Sequence, residues 1–260
     1  MSNTNNPDNP ISIITNNRTQ FFPSIFTWGV ATSAYQIEGA SSEDDKSPSI
    51  WDAFCQVPGA IADASSGHIA CDHYHRYKED IQLMKQIGLQ SYRFSISWCR
   101  VFPDGYGRVN PAGLAFYDKL VDALLEADIT PFITLYHWDL PLSLHHQGGW
   151  LNPSSPGWFA DFTATLVQSL SDRVKFWMTF NEPQCFIGWG YREGIHAPGL
   201  RLPWQETLQA AHNVLLAHGK GVQAARSVSK QSLSMGIAMV GSPAIPASTR
   251  IDDIQAAKKA

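Results

Sequence analysis

Apolar residues recur along this chain at two alternating periods. Short runs of β-branched and aromatic residues are followed by longer stretches in which apolar positions return every three or four residues, the spacing of one helix face. FTWGVATSAYQ at 26–36 reads as a first strand and its following loop. From about Asp72 a helix is predicted, with Tyr77, Ile81, Met84 and Ile87 at helical spacing and Gly88 as the usual residue past its end. SYRFSIS at 91–97 is the next strand. Asn110-Pro111 then opens a helix with a capping side chain and a proline whose missing N–H costs nothing at the first position. Leu114, Tyr117, Val121 and Leu124 form its expected buried stripe. The alternation continues with a strand at 130–136, a helix over about 156–170, a strand at 175–180 and a helix over about 207–228. A strand at 234–240 and a helix opening at 251–260 follow. Residues 1–20 are Asn-rich and read as a flexible tail, leaving 21–260 as the folded part.

Strands that alternate with helices imply right-handed crossovers and a parallel sheet, a fold of the α/β class. No G-x-G-x-x-G follows the first strand, so the usual support for a dinucleotide fold is missing. Polar residues gather instead at the C-terminal ends of successive strands: Gln36, Arg93, His137, Asn181 and Glu182. A closed (β/α)8 barrel, a TIM barrel, brings all those ends around one pocket, whereas an open sheet spreads them along a line. About four and a half strand–helix units are visible, and a barrel needs eight, roughly 200 residues more. The expectation is therefore the N-terminal half of a barrel, breaking off inside a helix as a fragment.

Composition narrows the functional classes. A hydrophobic share of 44% against 16% charged residues describes a globular protein with a sizeable interior, not a disordered one. The net charge of -4 is scattered without a basic stripe, which argues against nucleic acid as a partner. The aromatic residues, 9 Trp, 8 Tyr and 13 Phe, are mostly core material, but sugar rings also stack on Trp and Tyr. Cys55, Cys71, Cys99 and Cys185 are widely spaced without a C-x-x-C pair, which fits reduced thiols better than disulfides or zinc. The first twenty residues lack the basic and apolar regions of a signal peptide, and no apolar run approaches the ~18 residues of a membrane helix. A soluble, cytoplasmic protein without membrane partners or cofactors is expected. Asp72, His73 and His75 read as an ordinary helix start rather than a metal site, and His145-His146 as a solvated loop.

The most specific chemical signal is WMTFNEP at 177–183. Glu182 falls where a strand ends, and Pro183 after it disfavours helical geometry, so an extended Glu182 is expected. Asn181 and Glu182 face opposite ways in a regular strand, so both reach one pocket only if the strand breaks up there. A carboxyl group among Trp and Phe side chains loses hydration, which favours the protonated form that a general acid needs.

FTWGVATSAYQIEG at 26–39 resembles the N-terminal motif of glycoside hydrolase family 1, the β-glucosidase family. So do SYRFSISW at 91–98, LYHWDLP at 135–141, TFNEP at 179–183 and HAPG at 196–199, all in family order. The resemblance implies a β-glucosidase-type retaining hydrolase acting on terminal β-linked sugars of small glycosides or oligosaccharides. It implies Glu182 as acid/base and Asn181 as donor to the sugar 2-hydroxyl. Gln36 and His137 become anchors of the sugar, Arg93 the support of the nucleophile, and Trp138 a pocket wall or an equally plausible structural residue. Glu38 reads as structural, and Glu193 as a surface residue near the rim. Departures are few: Asp128 stands where the family often has Gly, a position Asp tolerates, and Asn152-Pro153 alters a rim loop. The family's second carboxylate, the nucleophile, lies in a Glu-Asn-Gly motif on a later strand, and these residues contain no such tripeptide. The chain alone is therefore expected to be inactive, associating with itself or with the missing C-terminal half. The other readings are a non-catalytic half-barrel that binds sugars or a partner, and an unstable product of an interrupted gene.

Overall fold

The structure, a computed structural model, describes residues 12–15, 18–241 and 243–259. Two stretches of the expected flexible tail, β1 (Ser12–Thr15) and β2 (Arg18–Phe21), instead pair as an antiparallel ribbon. The rest of that tail lies outside the described residues.

The first parallel strand, β3, is short (Gly29–Ala31) and runs into two brief helices, α1 (Ala34–Ile37) and α2 (Ile50–Phe54). Ser49 and Asp52 close α2 with a reciprocal capping box. Four strand–helix repeats follow. α3 (His73–Gln86) leads to β4 (Ser91–Ser95), a single turn α4 (Trp98–Val101) and α5 (Pro111–Glu126). β5 (Thr130–Tyr136) is followed by α6 (Leu142–His146), a 3-10 turn (Gly149–Leu151) and α7 (Ser155–Leu170). β6 (Phe176–Asn181) passes through α8 (Pro183–Cys185) and a π-helical segment (Phe186–Glu193) into the long α9 (Trp204–Val228). β7 (Ser234–Ala238) and α10 (Ile251–Lys259) complete the described part.

β3 to β7 form one five-stranded sheet, wholly parallel, with neighbours in chain order. Sequential order with every crossover the same way is the arrangement of barrel segments. The alternation seen in the sequence becomes two faces. Tyr92, Phe94, Ile133, Leu135 and Trp177 are buried, whereas Phe132 and Phe176, on the other face, are only half covered and stack at 4.4 Å across neighbouring strands. Trp98, just past β4, lies flat on Phe162 of α7 at 4.7 Å, and Phe159 of α7 on Phe180 of β6 at 4.5 Å, so aromatic pairs join α7 to the sheet. Gly221 allows α9 to approach α7: a Cβ there would meet the Phe159 ring at 2.8 Å.

Local chemistry explains several boundaries. Asn110 accepts from Ala112 N–H and Pro111 stands at the first turn of α5. Asp128 takes the left-handed conformation (φ 61°) anticipated for a residue standing in for Gly, and Gly88 does likewise at φ 78°. Ile87, expected in the buried stripe of α3, is 71% exposed, because it lies past the last helical turn. His145 and His146, expected in a loop, end the short helix α6.

Glu38 is structural, as anticipated, although it follows a helix rather than a strand. It is buried between Arg100, which donates from Nε at 3.1 Å, and the Tyr117 hydroxyl, which donates at 2.6 Å. Arg100 also donates to Gly39 O and lies over the Tyr74 ring. Removing one partner of such a buried pair leaves an uncompensated charge, at a cost of about 3–5 kcal/mol.

Candidate active site

The C-terminal ends of β4, β5 and β6 bring the predicted polar residues together. Arg93, from β4, donates from Nε to Thr134 Oγ1 at 2.8 Å and from Nη2 to Asn181 Oδ1 at 2.6 Å. That second bond fixes the Asn181 amide. With Oδ1 occupied by a guanidinium, its NH2 remains the free donor, the orientation required to give a hydrogen bond to a sugar hydroxyl. Trp138 Nε1 donates to the Asn181 carbonyl at 2.8 Å, tying the end of β5 to the end of β6. Burial lowers the Arg93 guanidinium below its ordinary range, and the opposing attraction comes from the Glu182 carboxylate.

Two residues at these strand ends have unusual backbones. Trp138 has φ 78° and Glu182 has φ 46°, both left-handed without being glycine. Such conformations cost of order 1–3 kcal/mol each and concentrate at functional sites. For Glu182 this corrects the extended geometry expected before proline. Pro183 excludes only the right-handed helix, and the chain turns left-handed because Pro183 starts α8 at once. The anticipated break-up of the strand is present: the pairing of β6 with β7 shifts between Met178 and Asn181. Glu182 N–H still donates to Ala238 O at 2.7 Å, so its backbone remains anchored to the sheet. Glu182 is half-buried, and Cys185 beside it is held above the usual thiol range by burial first and by the Glu182 carboxylate second.

Gln36, His137 and Trp138 line one cavity of about 370 Å³, together with Tyr35, Trp51 and His196. Gln36 is exposed there, on α1, where a flexible amide can meet a ligand. Burial, with Arg93 next, lowers His137 to about 4. Its imidazole is therefore neutral near pH 7 and offers one donor and one acceptor. The cavity and the hydrogen-bond network meet at Trp138, which joins Gln36 and His137 to Asn181 and Arg93, whereas Glu182 follows Asn181 in the chain and belongs to neither. His196, in the HAPG motif, was not singled out from the sequence. Its ring stands 4.9 Å from Trp189, 5.5 Å from Trp51 and 5.7 Å from Trp138, forming an aromatic wall.

The remaining candidates lie elsewhere. His75 is bonded to Asp72 at 2.7 Å and Glu43 at 3.1 Å, and His73 to Asp80 at 2.6 Å. Among the described residues no group of three or more His, Cys, Asp or Glu is arranged to hold a metal. Glu193 borders a larger groove of about 860 Å³, formed by the π-helical segment and α9 and lined by Trp204, Leu208 and Leu215.

Residues 18–260 match the model of Glycosyl hydrolase family 1. Beta-glucosidase A of Acetivibrio thermocellus is 50% identical over 237 residues, which is 91% of this chain and 52% of that protein. An aryl-phospho-beta-D-glucosidase of Bacillus subtilis is 44% identical, covering 92% of this chain and 50% of that protein. The solved family 1 β-glucosidase from Thermotoga maritima aligns with a TM-score of 0.86 at 45% identity, over 91% of this chain and 53% of its own. The structure of that enzyme in complex with deoxynojirimycin gives the same TM-score at 44% identity, over 92% of this chain and 53% of its own. The chain spans about half the length of these relatives, and its sheet is the first part of a (β/α)8 barrel. It belongs to glycosyl hydrolase family 1.

Proposed function

We propose that this family 1 chain carries the acid/base half of a retaining β-glycosidase site acting on terminal β-linked sugars. Glu182 is the general acid and base. It protonates the departing glycosidic oxygen and then removes a proton from the water that releases the sugar. Asn181, oriented by Arg93, donates to the sugar 2-hydroxyl, a contact that strengthens as the oxocarbenium-like transition state forms. Gln36 and the neutral His137 grip further hydroxyls, with Trp138 and His196 as the apolar wall. Arg93 sits where its charge keeps a carboxylate opposite it ionised.

The observation that supports this reading most is the chain of contacts Arg93–Asn181–Trp138. It unites residues from three separate motifs at the mouth of the sheet, beside a cavity of sugar size. The inhibitor named with the Thermotoga maritima structure is small and sugar-like, which agrees with a small glycoside as the ligand.

Retention also requires a second carboxyl about 5–5.5 Å from the first. The chain by itself is therefore expected not to hydrolyse aryl β-glucosides. The test is a chimera in which this chain is continued by the C-terminal half of the Acetivibrio thermocellus relative. It should hydrolyse aryl β-glucosides. In it, Glu182→Gln should slow glycosylation by about 10²–10⁴ for poor leaving groups, and far less for activated ones that need little protonation. Equal losses for both substrate types remove Glu182 from the acid role.

A further inference from the structure

Some buried polar atoms have no hydrogen-bond partner among the described residues, and where they lie separates them. Asp52 Oδ1 and Asp139 Oδ1 belong to side chains that line a void of only about 10 Å³, room for at most one water. His137 Nδ1 and His196 Nδ1 are equally shut off from solvent, but both rings line the cavity of about 370 Å³. The proposed chemistry uses His137 as a hydrogen-bonding group and His196 only as an apolar wall. Chemically the two imidazoles are in the same situation.

Burial lowers His196 below the usual imidazole range, so near neutral pH its ring carries one N–H and one lone pair. A proton on Nδ1 strands a donor in a dry place. A proton on Nε2 leaves Nδ1 as an under-used acceptor, which is the less costly arrangement. Nε2–H is then the group through which the ring meets a ligand. The rings packed around it, Trp189, Trp51 and Trp138, cannot take that proton, because an indole N–H only donates. The backbone beneath is held on both sides. His196 N–H donates to Trp189 O at 3.2 Å, and Gly199 N–H donates to His196 O at 2.7 Å. Gly190, in the π-helical segment, lies so close to Ala197 O that a Cβ there would meet it at 2.4 Å. The donor is therefore placed before a ligand arrives, which limits the ordering cost of binding.

We infer that His196 is a specificity-determining residue of this cavity, donating from Nε2–H to a sugar hydroxyl while its ring completes the aromatic wall. The inference rests on the reading of the cavity as a sugar site, and adds a third polar anchor to Gln36 and His137. A buried donor of this kind discriminates strongly, because a ligand without the matching oxygen leaves it unpaired.

The test follows the imidazole nitrogens by NMR in the chain carrying isotope-labelled histidine. The probes are deoxynojirimycin, a mimic of one sugar, and cellobiose, a β-linked disaccharide. Without a probe, His196 should show the Nε2–H tautomer at neutral pH. With one, the His196 and His137 signals should shift along one saturation curve. Two variants separate donor from wall, with affinity read from His137. His196→Phe keeps a flat ring and removes the donor, whereas His196→Gln removes the ring and keeps an N–H near the Nε2 position. His196→Phe should raise Kd by about three- to tenfold, the worth of one hydrogen bond, and His196→Gln should bind closer to wild type. A loss with both probes places the hydroxyl on the terminal sugar, and a loss with cellobiose alone places it on the second. An Nδ1–H tautomer overturns the inference, and so does a His196→Phe chain that binds like wild type while His196→Gln is weakened. A response at His137 without one at His196 overturns it too, but leaves the sugar site standing. Silence from both rings removes the sugar site and the inference together. If neither variant folds, the tautomer and ligand response of the wild-type ring, assigned sequentially, decide in the same way.

Discussion

Strands β5 and β7 lie in the same sheet and carry comparable apolar side chains, yet their surroundings differ sharply. Ile133 and Leu135 of β5 are fully buried. Met235 and Ile237 of β7 are only partly covered, and Met239 just beyond is 61% exposed. The same division runs along α9. Ala210, Val214, Ala217 and Ala225 are buried on the side that faces α7, while Trp204, Leu208 and Leu215 line an open groove. α10 buries no residue at all. The contrast teaches that an apolar stripe specifies a face and not the neighbour that covers it. β5 has strands on both sides and helices over one face, whereas β7 is paired on one side only among the described residues. Arg93, His137 and Asn181 of the proposed site sit on the well-covered side of this division, whereas Gln36 is exposed and Glu182 adjoins β7 through Ala238.

Stability should follow the same line. Phe159 stacks on Phe180 at 4.5 Å and fills the space that Gly221 leaves between α7 and α9. Phe159→Ala is expected to cost about 3–5 kcal/mol in chemical denaturation of the chain, the range for a buried aromatic. Leu208→Ala, on the open groove, should stay within about 0.5 kcal/mol. Similar losses at the two positions break the comparison, and would mean that the open face is covered in solution by something that also stabilises the fold.

A smaller effect is expected at the sugar cavity, where exposure is part of the function. In the chimera, Gln36→Ala and His137→Ala should each lower kcat/KM by the equivalent of about 1–3 kcal/mol, through hydrogen bonds lost to the sugar. Folding stability should change little for Gln36→Ala, because that side chain is exposed. Unchanged kcat/KM in both variants places the sugar elsewhere.

Much of this organisation was legible beforehand, for reasons that also explain the gaps. The strand at 130–136 emerges where a β-branched and aromatic run follows the left-handed Asp128, and the helix ending at Leu170 where a long apolar stripe follows Asn152-Pro153. The short helices α1, α2, α4 and α6 were not foreseen, since four or five residues carry no repeating stripe. The left-handed Glu182 escaped because the proline rule excludes one conformation without choosing among the rest. Asp139 was visible as an acidic residue in the run Leu-Tyr-His-Trp-Asp-Leu-Pro, but His137 and Trp138 drew the reading towards ligand contact. Its buried surroundings include Lys46, Asp52 and Glu38, which are distant in sequence and meet it only in the fold.

The smallest change in folding free energy carries the sharpest test of the open face. Trp204, Leu208 and Leu215 are each more than 60% exposed, and Met239 adjoins them in the groove of about 860 Å³. A contiguous apolar surface of this kind favours association, and the outer edge of β7, unpaired among the described residues, offers backbone groups to another strand. The chain is therefore expected to self-associate at micromolar concentration. Leu208→Glu combined with Leu215→Glu places two charges in the groove without touching the core, so folding stability should move by only about 0.5 kcal/mol or less. The same pair should shift the species seen by light scattering towards monomer, because burying unpaired carboxylates in an interface is costly. If the doubly substituted chain associates as strongly as the wild type, the groove is not the contact. The β7 edge is then the better candidate, and a proline at Ile237 would test it by removing a donor from that strand.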